Sequence, residues 1–178
     1  MDFKKVIESI VKEFSDQQID FALVGGLAVS LYVQARTTQD VDILLLLEDV
    51  KKAKKIFLNM GYKIIFESSD IMTFVSDKAG LGRIDVQLAH RKPSVAMLNR
   101  ANVIELFPKI KIKVLKPADI IGLKVQAYNN DPSRYHKDMA DIQELAKHIG
   151  KKDISVVQGY FKMFDKEKDF KAIFGAKK

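Results

Sequence analysis

Cysteine is absent from the 178 residues of the chain. This absence excludes disulfides, thiolate metal sites and a cysteine nucleophile, and it favours an intracellular, cytoplasmic location. Long apolar runs are absent as well: the longest, Ile43 to Leu47, is far too short to span a bilayer. The first fourteen residues lack the continuous apolar segment of a signal peptide. We therefore expect a cytoplasmic protein with no membrane partner.

The composition is that of an ordinary globular protein, with 47% hydrophobic and 30% charged residues. The length fits one domain, or one domain with a small helical appendage. The net charge of +7 comes mostly from lysines near the end of the sequence. A basic balance favours polyanionic partners such as RNA or nucleotides, although charge alone favours a simple lysine-rich surface.

Hydrophobic periodicity predicts an α/β (α+β) fold: a small mixed β-sheet flanked by helices, with a helical C-terminal part packed on the core. We expect residues 1–115 to form the core and residues 116–178 the helical part. Helices are predicted at about residues 2–14, 27–33, 49–60, 95–101, 117–128 and 135–149, and strands at about residues 21–24, 41–47, 62–67, 71–75, 83–88, 103–107 and 110–114.

A glycine pair, Gly25 and Gly26, follows the first predicted strand and opens a predicted helix. Free backbone N–H groups and the positive end of a helix dipole suit a phosphate. Glycine would be needed there because a side chain blocks close approach of the phosphate to the backbone. Taken alone, the pair favours a tight turn without a ligand.

Two aspartates, Asp40 and Asp42, alternate on the next predicted strand and therefore project from the same face. Aspartate is disfavoured in strands, and at ~4 Å two carboxylates repel each other by about 4 kcal/mol at an effective dielectric near 20. A divalent cation such as Mg²⁺ makes that arrangement favourable. A metal site is thus favoured over a solvated strand end.

A third carboxylate, Asp85, faces opposite to its apolar neighbours Ile84 and Val86. If its strand lies beside the strand of Asp40 and Asp42, the three carboxylates converge and could hold two metal ions, one on the triphosphate and one on the attacking hydroxyl. Considered alone, Asp85 could equally pair with Arg83 or Arg36.

The glycine pair and the Asp40-Val41-Asp42 string resemble the signature of the DNA polymerase beta superfamily of nucleotidyltransferases. With Arg36 and Thr38 ahead of the acidic pair, the string is similar to the abortive-infection (AbiE-type) toxin branch. The segments Lys116–Lys124 and Lys137–Ile142 resemble that branch too. The resemblance covers about residues 21–145.

The resemblance implies a role for each matching residue. It makes Asp40, Asp42 and Asp85 catalytic metal ligands for Mg²⁺ or Mn²⁺. It assigns Gly25 and Gly26 to the triphosphate, and it places Arg36, Thr38, Lys124, Asp138 and Asp141 among the substrate-binding residues. From the residues alone, Lys124 favours a surface lysine, Asp138 and Asp141 could be solvated helix acids, and Arg36 could contact phosphate or the carboxylates.

These patterns predict an enzyme that moves a nucleoside monophosphate from a nucleoside triphosphate to an acceptor hydroxyl, an RNA end or a protein side chain. The resemblance adds a toxin with a cognate antitoxin as a candidate role. A catalytically silent relative that binds nucleotide or RNA is the alternative. A cationic antibiotic is a poorer acceptor, because it would require acidic residues that the chain lacks beyond the metal site.

Overall fold

The computed structural model describes residues 1–33 and 38–175 of the chain. It divides into two compact units: Met1–Ala28 with Arg36–Leu115, and Val29–Ala35 with Lys116–Lys178. Among the described residues, no helix combines the length and apolar character that a membrane crossing requires.

The first unit contains a mixed sheet and its helices. In chain order its elements are α1 (Phe3–Asp16), β1 (Phe21–Leu23), α2 (Gly25–Ser30, which continues past the unit boundary), β2 (Asp40–Leu46), α3 (Val50–Met60), β3 (Lys63–Glu67), β4 (Ile71–Ser76), β5 (Gly82–Ala89), α4 (Lys92–Asn99), β6 (Asn102–Phe107) and β7 (Ile110–Val114). The sheet order is β3-β4-β5-β2-β1-β7-β6. The β2–β5 and β1–β7 pairs are parallel and the others antiparallel. The predicted fold class is confirmed.

Aromatic side chains form the centre of the core in this unit. The ring of Phe14 on α1 contacts Phe21 and Phe57, and Phe57 in turn contacts Tyr62 and Phe74. Such pairs add about 0.5–1.5 kcal/mol each beyond the burial of their area. They fix α1 and α3 against the sheet that carries the predicted site.

Both edge strands of the sheet are irregular. The pairing of β3 with β4 shifts register between Ile64 and Phe66, and the pairing of β6 with β7 shifts between Glu105 and Phe107. The intervening Ile65 is 58% exposed. A bulge bends its strand and interrupts the row of backbone groups that a further strand could pair with.

The second unit is helical in its described residues. It comprises α5 (Pro117–Asn130), α6 (Tyr135–Ala146), α7 (Lys151–Met163) and α8 (Glu167–Phe174). Pro117 occupies the first turn of α5, where its missing N–H costs nothing. Tyr160 of α7 donates a hydrogen bond to the buried Asp119 at 2.8 Å, and Tyr128 of α5 donates one to Asp169 at 3.0 Å. These bonds join α5 to the two helices that follow α6.

One boundary differs from its prediction in a way that matters for the site. The helix expected from residue 27 to residue 33 begins at Gly25 and ends at Ser30. The strand expected from Val41 likewise begins one residue earlier, at Asp40. The glycine pair is therefore part of the first helical turn, and the first aspartate is part of the sheet.

Candidate active site

The strands β2 and β5 are parallel neighbours, and their register brings the predicted carboxylates together. Asp42 lies directly opposite Asp85, and Asp40 lies opposite Arg83. Because side chains two residues apart share a face of a strand, Asp40, Asp42 and Asp85 all project from one face of the sheet. All three are partly exposed, whereas their apolar neighbours Val41 and Ile84 are fully buried.

The glycine turn touches the second aspartate. Gly25 has a φ of +61°, and a β-carbon there would overlap the carboxylate of Asp42. The backbone N–H of Gly26 donates to Oδ2 of Asp42 at 3.4 Å. Glycine is required at position 25 for two reasons, since the backbone is left-handed and the carboxylate occupies the space of any side chain.

Asp85 has two hydrogen-bond partners, one on its own strand and one on the neighbouring strand β4. Arg83 donates from Nε to Oδ2 at 2.9 Å and from Nη2 to Oδ1 at 3.0 Å, a bidentate pair along one strand. Thr73 of β4, whose register partner is Asp85, donates from Oγ1 to Oδ1 at 2.6 Å. Of the alternatives for Asp85, the pair with Arg83 is therefore formed.

Arg83 lies in the field of the whole acidic group. Its guanidinium pKa is raised above the ordinary value, chiefly by the hydrogen bonds to Asp85 and further by the charges of Asp85, Asp40 and Asp42. One cation thus senses all three carboxylates at once. The β2–β5 register, which places Arg83 and the three carboxylates on one face of the sheet, accounts for the direction of this shift.

The donor set fits a divalent ion in its chemistry. Carboxylate oxygens are the ligands that Mg²⁺ and Mn²⁺ prefer, and Asp40 and Asp42 share a face. In the arrangement of residues 1–33 and 38–175, however, no three acidic or histidine side chains are close enough to share one ion. Asp85 instead binds the cation that the chain itself supplies, Arg83.

An open cavity of about 620 Å³ adjoins this group. Its lining includes Thr38, Asp40, Ser76 and Arg83, together with the start of α1. The cavity begins at the Asp40–Arg83 rung of the β2–β5 pair, two residues along the strands from the Asp42–Asp85 rung. It therefore lies about 7 Å along the sheet from the carboxylate beside the glycine turn.

The two residues expected ahead of the acidic pair have different outcomes. Thr38 lies at the cavity, and its hydroxyl donates to the backbone carbonyl of Asp40 at 3.3 Å. Arg36 lies outside the described residues. The roles predicted for both in substrate binding stay predictions.

The remaining predicted residues form a buried ionic cluster in the second unit. Lys124 of α5 is only 7% exposed, and its Nζ lies 3.0 Å from Asp138 and 2.5 Å from Asp141 of α6. Arg134 adds a contact of 2.9 Å to Asp138, which is fully buried. The interpretation of Lys124 as a surface lysine, and of the two aspartates as solvated acids, is wrong. Their assignment to nucleotide binding stays a prediction.

Two residues of the site were not predicted as site residues. Arg83 was considered only as a partner for Asp85, although its spacing of two from Asp85 already places it on the same face. Thr73 carries no signal in the sequence. Its position depends on the register between β4 and β5, which single-strand patterns do not specify.

Comparisons with known proteins bear on the family and the fold of the chain. Residues 9–174 match the family described as nucleotidyl transferase AbiEii toxin, type IV TA system. A search of curated proteins found no match.

Several solved structures share the fold at low identity. ANT(2")-Ia in complex with adenylyl-2"-tobramycin is 15% identical, with 89% of this chain and 96% of that chain covered and a TM-score of 0.67. Lincomycin-bound LnuA, a lincosamide antibiotic adenylyltransferase, is 17% identical, with 80% and 95% covered and a TM-score of 0.52. A CCA-adding enzyme in complex with ATP is 13% identical, with 93% and 44% covered and a TM-score of 0.51.

These likenesses show the fold, and the match over most of the sequence shows the family. The paired aspartates on β2, the glycine turn at Asp42 and the facing carboxylate on β5 occupy that matched region. This chain belongs to the AbiEii family of nucleotidyltransferase toxins.

Proposed function

We propose that this protein transfers a nucleoside monophosphate from a nucleoside triphosphate to an acceptor hydroxyl, with release of pyrophosphate. One observation carries the proposal: Asp42 lies opposite Asp85 on adjacent strands and beside the Gly25-Gly26 turn. The carboxylates of Asp42 and Asp85 therefore lie on one face of the sheet, and the Gly25-Gly26 turn, which has no side chains, contacts Asp42. In-line phosphoryl chemistry needs positioning and charge neutralisation more than a covalent intermediate.

We assign a separate role to each residue on or beside the β2–β5 strand pair. The Gly25-Gly26 backbone would bind the triphosphate, and Asp40 and Asp42 would hold Mg²⁺ or Mn²⁺. Asp85 would complete the ligand set and orient the attacking hydroxyl. A bound divalent ion supplies neutralisation of the phosphate charge and a lower pKa for the acceptor hydroxyl. The acceptor would enter from the cavity at Asp40 and Arg83, on the side away from the glycine turn, as in-line attack requires.

The cavity bears on the class of acceptor. Asp40 is the single acidic residue in its described lining, and Arg83 adds a cation beside neutral hydroxyls. A cationic antibiotic would meet a single acidic residue there, whereas Arg83 would attract the phosphates of an RNA end and would tolerate a neutral protein hydroxyl. The net charge of +7 supports the same choice.

The experiment is incubation of the protein with each labelled nucleoside triphosphate, Mg²⁺ or Mn²⁺, and either total RNA or protein extract. We expect label transfer that falls at least about 100-fold in Asp42→Ala, because metal stabilisation of charge contributes several kcal/mol. Asp77→Ala is the matched control, since Asp77 is an exposed aspartate paired with Lys63 in the same unit. Adding Asp40→Ala to Asp42→Ala should cost little more, because both would serve one metal site.

A catalytically silent nucleotide-binding relative is the second candidate, and the bidentate Arg83–Asp85 pair favours it. Nucleotide binding without any transfer under all of these conditions would establish the silent relative. Transfer unchanged by Asp42→Ala would refute the enzyme assignment to this site.

The family also supports a toxin role with a cognate antitoxin as a partner. We propose that toxicity depends on the same carboxylates. Growth arrest on expression should then be lost with Asp42→Ala and retained with Asp77→Ala.

A further inference from the structure

Asp85 accepts three hydrogen bonds from donors of its own sheet. Its Oδ1 accepts from Arg83 and Thr73, and its Oδ2 accepts from Arg83. A carboxylate has about four lone-pair positions, and three are taken here. A divalent ion that shared this carboxylate with Asp42 would have to compete with the guanidinium for it.

The guanidinium of Arg83 is placed to leave at small cost. Its side chain is 47% exposed, against 18% for the side chain of Asp85, so water can replace the lost contacts. Partly exposed ion pairs contribute little net stability. Arg83 also lines the open cavity of about 620 Å³, which offers room for the displaced group beside the same strand.

The Arg83–Asp85 pair also reduces the repulsion among the three carboxylates. Three carboxylates on one face repel one another, and a protein without bound metal needs another cation there. Arg83 supplies it, since it projects from the same face of β5 as Asp85 and its register partner is Asp40. The acidic face is thus neutralised in part before any ion arrives.

We propose that Arg83 is a displaceable internal counter-cation that competes with a divalent ion for Asp85. Asp40 and Asp42 would hold the ion, and Asp85 would join them once Arg83 had turned toward the cavity. This inference rests on the proposed function, because it assumes that these aspartates bind metal. It makes Arg83 a positioning residue that sets metal affinity.

The test is Mn²⁺ binding to the full chain, measured by the loss of the free-ion signal in electron paramagnetic resonance. Arg83→Gln should bind Mn²⁺ about tenfold more tightly than the unaltered protein, because the cation that competes for Asp85 is removed, and the partial exposure of the pair limits the gain. Arg83→Lys keeps the charge but cannot form two parallel bonds, so its affinity should be intermediate. Arg91→Gln removes an equal charge from an exposed arginine of the same unit and should change nothing.

The outcomes separate the two proposals. Unchanged or weaker Mn²⁺ binding in Arg83→Gln, or an equal gain in Arg91→Gln, overturns the counter-cation proposal. Mn²⁺ binding that survives Asp42→Ala undiminished overturns the metal site itself and with it the proposed function. A second readout is the Nε–H resonance of Arg83 in nuclear magnetic resonance spectra, which is assigned by its absence in Arg83→Lys. This resonance should shift when the unaltered protein is titrated with Mg²⁺, and a resonance that does not move would contradict the displacement of Arg83.

Discussion

The buried ionic cluster of the second unit offers the sharpest test of the energetics. Lys124 lies between two carboxylates, 3.0 Å from Asp138 and 2.5 Å from Asp141. Lys124→Met keeps most of the volume of the side chain and removes its charge. Asp138 retains its contact with Arg134 at 2.9 Å, whereas Asp141 loses its 2.5 Å contact with Lys124.

The magnitude follows from charge and burial. At 3.0 Å the attraction of one ion pair is about 5–6 kcal/mol at an effective dielectric of 20. Desolvation of the ions offsets part of it, and removal of one partner from a buried pair typically costs about 3–5 kcal/mol. For a chain of this length each kcal/mol lowers Tm by about 2–4 °C. We therefore expect Lys124→Met to lower Tm by about 6–20 °C.

Thermal and urea denaturation, each followed by circular dichroism, measure the loss of Tm and of the free energy of unfolding, with Lys147→Met as the matched control. Lys147 pairs with Glu144 on the surface of the same unit, so its replacement should cost less than about 1 kcal/mol. Adding Asp141→Asn to Lys124→Met should restore part of the stability, because it removes a buried negative charge whose contact with Lys124 is lost. Equal costs for the two lysines would refute the reasoning.

Two further predictions concern Gly25 and Tyr62 of the first unit, with Gly159 of the second unit as a control. Gly25→Ala should abolish nucleotide binding and lower stability by about 1–3 kcal/mol, since φ is positive and the methyl group displaces Asp42. At Gly159 a β-carbon meets nothing within 4 Å, so Gly159→Ala should instead stabilise its helix by about 0.5–1 kcal/mol. Equal effects of the two substitutions would contradict the role assigned to Gly25. Burial raises the pKa of Tyr62 from 10.0 to about 12, so stability present below pH 10 should be lost as the pH rises toward 12. Tyr62→Phe should flatten that alkaline loss in denaturation curves, and an unchanged slope would assign it to other groups.

The local signals of the sequence were sufficient for most of the fold. Alternation of apolar and acidic residues predicted β2 and β5 and placed Asp40 and Asp42 on one face. Pro117 predicted the start of α5, and Gly61 marked the end of α3, where it adopts the left-handed conformation. Each of these signals acts within a few residues of the chain.

Pairings between distant segments could not be read in the same way. The parallel register that sets Asp42 opposite Asp85 joins residues 43 positions apart. From the sequence we could say only that the two carboxylates would meet if their strands were neighbours. The burial of Lys124 depends on acids contributed by the next helix, whereas its own helix gave only a mixture of apolar and charged neighbours. The burial of a side chain depends on every element that packs against it. Sequence periodicity shows which face of one helix is apolar and does not show which residues of another helix contact that face.

The register shifts in β3 and β6 have a consequence for how the protein can meet other molecules. Each interrupts the outermost strand of the sheet, so a foreign strand would lose continuous backbone bonding after a few residues at either border. The two shifts therefore disfavour edge-to-edge pairing of this sheet with another strand, even though Ile65 and Val103 are apolar and accessible.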